Sequence, residues 1–318
     1  MGGLIVVADP VAPGLAADLS GWTVREVLEP SELPGALAEA EALVVRSRTR
    51  VTAELLGHAP RLRVVGRAGA GLDGIDLDAA AARGIAVVAA GAAAAAAVAE
   101  LTLGLMISLA RDVPGAAVAA RAGNWAKRPG VGLAGRTLGI VGLGRVGRRV
   151  AHASAALGMQ VVALERGEAP SSSSHAQARQ ADAATDPASA REVDHITRLP
   201  LRALLAKSEI LSLHLPLTEA TRGLIDAAAL AHLPAGALLV NTARGALLDE
   251  QALLDALDRG DLAGAALDVL QVEPSDLGNP LLHHPRVLVT PHLGASTADA
   301  QQGIARELAR ELRRVLEG

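Results

Sequence analysis

The sequence contains no cysteine, tyrosine or phenylalanine, and only two tryptophans. Without cysteine there is no disulfide framework, no thiolate zinc site and no cysteine nucleophile, and no metal is expected. Without tyrosine or phenylalanine there are few platforms for stacking bases. The 30 basic and 34 acidic residues are interspersed and create no large positive field, so nucleic acid is not an expected partner. The N-terminal MGGLIVVADP lacks a basic leader region, and its apolar run stops at Asp9 and Pro10, so it reads as a strand. Ile85 to Ala110 is apolar enough to resemble a membrane span, but Glu100 falls near its middle and alanine gives it little lipid affinity. The expectation is a buried helix in a soluble, cytoplasmic protein with no membrane partner.

What is present is aliphatic. Half of the 318 residues are hydrophobic and the net charge is -4, so enough apolar surface can be buried to offset chain entropy. The length suggests two domains. Alanine makes up roughly a fifth of the chain, far above ordinary usage.

Short aliphatic runs (LIVVA, TVREV, ALVV, LRVVG, IAVV) alternate with helical stretches, which argues for a parallel sheet covered by helices. An alanine-rich helix is expected at about 92–111, ending before Pro114 and Gly115. The alternation then restarts with TLGIV, QVVAL, EILSL, ALLVN, GAALDV and VLVT, a second parallel sheet. Between them, about 167–197 is rich in Ser, Ala, Asp, Gln and Pro and is expected to be a mobile surface insertion. In the tail, Ile304, Leu308, Leu312 and Leu316 are spaced four apart along one helical face, which predicts a helix docked onto the body.

GLGRVG, with Gly142, Gly144 and Gly147, follows the strand TLGIV and opens a helical run. QVVAL, the next strand, leads to Glu165, eighteen residues beyond Gly147. This spacing fits a dinucleotide site. Gly142 permits the tight turn, Gly144 lets backbone N–H groups approach a pyrophosphate, and Gly147 allows close packing of helix on strand. Glu165 is placed to accept from the adenosine ribose. Arg166 beside it would suit a 2′-phosphate, but the carboxylate repels that group, so NAD is expected, with NADP the alternative.

Three later stretches, VNTARGALLDE, ALDVLQVEP and VTPHLGAST, place Arg244, Asp268, Glu273 and His292 just after apolar strands, where open parallel sheets bind ligands. Arg244 has the planar fork suited to a substrate carboxylate. His292 can move a proton near neutral pH, with Glu273 favouring its charged form. An isolated histidine is usually structural, and the other eight keep that reading.

Taken together, the sequence resembles the D-isomer-specific 2-hydroxyacid dehydrogenases from about Val44 to Gln302, and within them the short phosphoglycerate branch. VVRSRTRVTAELL, VVGRAGAGLDGIDLDAAAARGI, GRTLGIVGLGRVGRRV, VNTARGALLDE, GAALDVLQVEP and TPHLGASTADAQ carry the similarity. The resemblance implies an α/β fold of two doubly wound parallel-sheet domains. A Rossmann NAD-binding domain over 92–290 would be inserted into a discontinuous flavodoxin-like substrate-binding domain made of 1–91 and 291–318. It implies that Arg244 orients substrate, Glu273 partners the histidine and His292 exchanges the proton. Arg145 and Val146 would join the pyrophosphate loop, and Leu215, Thr242, Ala243, Asp268, Gly294 and Ala295 would line the cofactor. Arg46 and Arg67 would reach a substrate phosphate.

The activity so implied is NAD-dependent interconversion of D-3-phosphoglycerate and 3-phosphohydroxypyruvate, a step of serine biosynthesis. Its partner is a small, phosphorylated 2-hydroxyacid or 2-oxoacid. Alternatives are reduction of glyoxylate, hydroxypyruvate or another 2-oxoacid, an NAD(H)-sensing corepressor-like binding protein, and an inactive variant. A homodimer through the cofactor domain, including the region of Trp125, is also implied. The chain stops soon after its last helix, so the additional regulatory domains of longer relatives are expected to be absent.

The sequence departs from the family in one stretch above all. A polar loop of the kind Asn-x-Pro-x-x-Asn-x-x-Ser is replaced by Ala89-Ala90-Gly91 and the six alanines Ala92 to Ala97. Only backbone N–H groups in the first turn of the following helix would remain to hold a carboxylate there. The lost side-chain bonds would weaken binding by roughly one to two orders of magnitude. Ala70, Leu215, where the family can have a cofactor-contacting Thr, and Leu270 are smaller departures.

Overall fold

Five N-terminal apolar runs become strands β1 (Leu4–Val7), β2 (Thr23–Glu26), β3 (Ala40–Val45), β4 (Val64–Arg67) and β5 (Ala86–Ala89). In the computed structural model, which describes residues 2–165 and 196–318, they form one parallel sheet of order β2-β1-β3-β4-β5. This is the flavodoxin-like order. Helices α1 (Gly14–Asp18), α2 (Leu33–Leu37), α3 (Ala53–Gly57) and α4 (Leu77–Ala82) connect the strands. Thr52 and Asp76 start α3 and α4 by accepting backbone N–H bonds from Leu55 and Ala79.

The chain divides into two compact units, the first running to Ala95 and resuming at Ala295. The resumed segment forms the C-terminal helix Ala298–Leu316, capped by Thr297. Its Ile304, Leu308, Leu312 and Leu316 are buried, as their spacing predicted. They pack on the sheet so closely that a side chain at Gly66 of β4 would collide with Leu308.

The second unit begins at Ala96 and ends at Gly294. Its sheet contains β6 (Thr137–Val141), β7 (Gln160–Leu164), β8 (Thr197–Leu199), β9 (Ile210–Leu213), β10 (Ala237–Asn241), β11 (Leu262–Leu267) and β12 (Val287–Val289). The order is β12-β11-β10-β9-β6-β7-β8, all parallel. Connections reverse direction at β6 and β9, the switch point at which such sheets bind ligands. Successive residues of β10 face opposite sides: Ala237 and Leu239 enter one core cluster, Leu238 and Val240 the other. Both cores are built mainly of Leu, Ile, Val and Ala. A fully buried side chain of the larger three contributes about 1.5–3 kcal/mol each. The short strand β8 has no counterpart among the sequence expectations. The insertion expected over about 167–197 and Arg166 lie outside the described residues, except for the buried Ile196 and for Thr197, which opens β8.

The alanine-rich helix ends at Arg111 as expected but starts three residues later than its expected form. Helix α5 spans Ala95–Arg111, and Ala92–Ala94 form a turn before it. Pro114 and Gly115 do not end the helical region but lie in the first turn of α6 (Val113–Arg121), bent 61° from α5. Proline fits there because the first N–H groups of a helix have no intrahelical acceptor. Among the described residues, no single helix is long and apolar enough to cross a membrane.

Candidate active site

The glycine loop lies between β6 and helix α7 (Arg145–Ala156). Each glycine has a separate reason. Gly142 has φ +109, and a β-carbon there would lie 2.7 Å from the carbonyl of His214, whose chain continues into Leu215. A β-carbon on Gly147 would overlap the Gly142 carbonyl oxygen. At Gly144 nothing lies within 4 Å, so the backbone can be approached from outside. Gly144 is also the N-cap of α7 and supplies no side-chain acceptor. Its helix start, with Arg145 and Val146 in the first turn, therefore offers N–H groups and a positive dipole end. Glu165 follows β7 and is exposed. These features fit the pyrophosphate and adenosine ribose of a dinucleotide.

His214, next to this loop, bonds through Nε2 to Ser212 Oγ at 2.9 Å. The residue keeps some accessible surface, yet burial of the ring pushes its pKa down to about 4. It is therefore neutral at physiological pH.

Arg244 lies just beyond β10, in a loop organised by Asn241, which is fully buried. The Asn241 amide donates to the Arg244 carbonyl (2.9 Å), while its side-chain oxygen accepts from the Ala243 N–H (3.0 Å). Arg244 Nη1 donates to the Ala243 carbonyl at 2.6 Å. Thr242 shares a hydroxyl contact of 2.8 Å with Thr102 of α5, and both are buried. Gly245 is pressed against the Leu270 backbone, with no room for a side chain. This contact brings the Arg244 loop beside the loop carrying Glu273.

Glu273 and His292 meet directly, with His292 Nδ1–H donating to Glu273 Oε2 at 2.6 Å. Glu273 Oε1 accepts from the Leu270 N–H at 2.9 Å. Partial burial raises the Glu273 pKa, but hydrogen bonds from His292 and Leu270, and the charges of His292 and Arg244, outweigh it. The net result is a carboxyl below its ordinary value. His292 has φ +52, an unusual backbone conformation for a residue with a side chain. Asp268 holds it there. This carboxylate, 1% exposed, accepts from Thr290 Oγ1 (2.6 Å), Leu293 N–H (2.7 Å) and Gly294 N–H (2.9 Å). Asp268, expected to touch the cofactor, thus has an intramolecular role as well.

Arg46, Arg67 and Ala295 belong to the first unit. Arg67 Nη1 donates to the Ala68 carbonyl at 2.8 Å. Arg46 lines a cavity of about 340 Å³, with Gln301 and Gln302 of the C-terminal helix. The Ala295 carbonyl accepts from Gln301 at 2.7 Å.

Two of the backbone N–H groups expected to serve an anion at the alanine run, those of Ala92 and Ala93, are already bonded. Glu307 of the C-terminal helix accepts from Ala92 N–H (3.3 Å) and Ala93 N–H (3.1 Å), one bond to each carboxylate oxygen. The sequence reading missed this because the partners lie 215 and 214 residues apart. Asn241 and Thr102 were missed as well. Asn241 adjoins the Arg244 motif and was open to recognition as a buried polar residue ending an apolar strand.

The parallel sheets, glycine loop and histidine–carboxylate pair define an α/β protein built for dinucleotide chemistry. Residues 103–294 match the family model for the D-isomer specific 2-hydroxyacid dehydrogenase NAD binding domain. D-3-phosphoglycerate dehydrogenase of Mycobacterium tuberculosis is 42% identical over 99% of this chain and 57% of its own length. The chain thus spans little more than half of that relative. Hydroxypyruvate reductase of Thermotoga maritima is 38% identical over 90% of this chain and 88% of its own length. The crystal structure of a glyoxylate reductase from Paecilomyes thermophila superposes with a TM-score of 0.85 at 30% identity, covering 99% of this chain and 96% of that one. The protein belongs to the D-isomer-specific 2-hydroxyacid dehydrogenase family.

Proposed function

We propose that the protein is an NAD-dependent oxidoreductase that interconverts D-3-phosphoglycerate and 3-phosphohydroxypyruvate. The observation that carries the chemistry is the 2.6 Å bond between His292 Nδ1 and Glu273 Oε2. It leaves Nε2 to exchange a proton with the substrate C2 oxygen, while Glu273 stabilises the imidazolium. Arg244 binds the substrate carboxylate and polarises the C2 oxygen. A nicotinamide cofactor held at this site would supply or accept the hydride. Gly142, Gly144, Arg145, Val146 and Gly147 would hold its pyrophosphate and Glu165 its ribose, with Leu215, Thr242, Ala243, Asp268, Gly294 and Ala295 around the rest. In this reading the second unit carries most of the NAD contacts together with Arg244, Glu273 and His292, and the first carries Arg46 and Arg67 for the phosphate. The phosphoglycerate dehydrogenase relatives support that substrate.

A specific observation also favours an unphosphorylated 2-oxoacid. The alanine run has no side-chain donors, and the N–H groups of Ala92 and Ala93 are bonded to Glu307. The hydroxypyruvate reductase relative agrees with that reading. An NADH-linked assay comparing 3-phosphohydroxypyruvate, hydroxypyruvate and glyoxylate, with NADPH run alongside, decides between them. The primary reading expects the phosphorylated acid to have the highest kcat/KM. Oxidation of neither nucleotide with any of the three would overturn both readings and favour a binding role. A homodimer is also proposed, supported by exposed Val118 and Trp125, the latter 83% accessible. Light scattering tests it.

A further inference from the structure

We infer that Asp9 is a positioning residue for Arg46, and through it for recognition of the substrate's second anionic group. The inference rests on the reading that Arg46 binds a phosphate. Asp9 follows β1 and is 1% exposed. A buried carboxylate persists only where several donors replace its lost hydration. Here the donors come from one short segment after β3. Asp9 Oδ2 accepts from the backbone N–H groups of Arg46 (2.5 Å) and Thr49 (3.2 Å). Oδ1 accepts from Thr49 Oγ1 (2.7 Å) and lies 3.5 Å from Arg48 Nε. The carboxylate therefore gathers Arg46, Arg48 and Thr49 around one point and fixes the backbone from which the Arg46 side chain departs.

The two arginines of this segment differ in use. The Arg48 guanidinium contacts Asp9 and also donates to the Leu28 carbonyl at 2.6 Å and the Ala8 carbonyl at 3.3 Å, closing the loop onto the strand ends. Arg46 instead lines the cavity of about 340 Å³, together with Pro10, Pro13, Gln301 and Gln302. Asp9 precedes the cavity wall in sequence and grips its cation by the backbone. One buried carboxylate thus sets the relation between the Pro10 segment and Arg46. In a site that must hold a ligand anion, fixing the backbone that carries the arginine beforehand leaves only its side chain to be ordered on binding.

The test compares kinetics of the Asp9→Asn variant of the 318-residue chain on 3-phosphohydroxypyruvate and hydroxypyruvate, beside Arg46→Ala. Asparagine has nearly the same shape but offers a donor where Asp9 has a second acceptor. Asp9→Asn is expected to raise KM for the phosphorylated acid about tenfold, with kcat and the hydroxypyruvate reaction changed less than about twofold. Thr49→Val, which removes only the Oγ1 donor, is expected to move selectivity the same way by about threefold. It carries the test if Asp9→Asn does not fold. Equal losses on both substrates would make Asp9 merely structural and overturn the inference, as would unchanged selectivity. If Arg46→Ala discriminates and the Asp9 and Thr49 variants do not, this inference alone fails. If Arg46→Ala does not discriminate, or the native protein turns over neither acid, the phosphate reading fails and the inference with it.

Discussion

Gly147 faces the carbonyl oxygen of Gly142 across the turn between β6 and α7, leaving no space for a β-carbon. The third glycine of the loop is thus required by packing, whereas Gly144 opens onto space with nothing within 4 Å. The two positions should respond differently to the same methyl group. Gly147→Ala is expected to lower thermal stability by about 1–3 kcal/mol, the usual cost of overpacking. Gly144→Ala should leave Tm nearly unchanged and weaken NADH binding about tenfold or more by obstructing close approach to the backbone. Melting curves and NADH fluorescence titrations of both variants check this. Equal loss of stability in the two would contradict the assignment.

The glycine loop was legible in the sequence because its three constraints are local. The strands were legible because short aliphatic runs alternated with helical stretches, and Arg244, Glu273 and His292 because each follows such a run. Less accessible were residues whose meaning depends on distant partners. Asp9 read only as the end of a strand, although its carboxylate organises a segment 37 to 40 positions away. Glu307 read as one more charge on an amphipathic helix. Pro114 marked the end of the alanine-rich helix correctly, but that it also opens α6 was not legible, because a helix's first turn and the residues after its end are equally tolerant of proline. The unexpected strand β8 has only three residues, too few for a periodic signal.

Glu273 and His292 form the pair on which proton transfer depends. His292→Ala is expected to lower kcat for oxoacid reduction by a factor of about 10² to 10⁴ while leaving NADH affinity unchanged. Glu273→Gln keeps the shape but removes the charge that stabilises the imidazolium, so a loss of about 10² is expected. Steady-state kinetics and NADH titration measure both. Full turnover without His292 would exclude it as the proton-transfer group.

The same pair affects acid stability. The Glu273 carboxyl has a depressed pKa in the folded protein. Its charged contacts therefore contribute fully above the ordinary carboxylate range, and that contribution is lost as pH falls through the lower folded value. Acid unfolding followed by circular dichroism should show a shallower decline for Glu273→Gln than for the native protein below about pH 4.5. An identical slope would mean that the contacts do not persist in solution.

His214 gives a second pH dependence, in a higher window. Its imidazole titrates at 6.5 when unperturbed and at about 4 in the fold. Between those values the unfolded chain binds a proton that the folded protein does not, so stability is present above pH 6.5 and declines as pH falls toward 4. The full difference amounts to about 3 kcal/mol at most. Denaturant melts at pH 7.5 and 5 should show this loss in the native protein and a smaller one in His214→Asn. If both lose stability equally, His214 is not the group responsible.

Glu307 occupies the turn that would otherwise present the N–H groups of Ala92 and Ala93. Gly303, one turn earlier on the same helix, lets that turn approach, since a β-carbon there would lie 2.8 Å from the Ala93 side chain. With the approach set by Gly303, the carboxylate bonds both N–H groups. Glu307→Ala removes the acceptor without changing the close packing at Gly303. Loss of two charge-assisted bonds at a partly exposed site should cost about 1–2 kcal/mol. For a chain of this size that lowers Tm by about 2–6 °C. The vacated N–H groups should then accept an anion from solution. Sulfate is therefore expected to raise Tm of the variant more than that of the native protein, measured against chloride at matched ionic strength. A variant with native Tm would show that the Glu307 contact contributes nothing. One with lowered Tm but no additional response to sulfate would show that the turn rearranges once its carboxylate is gone.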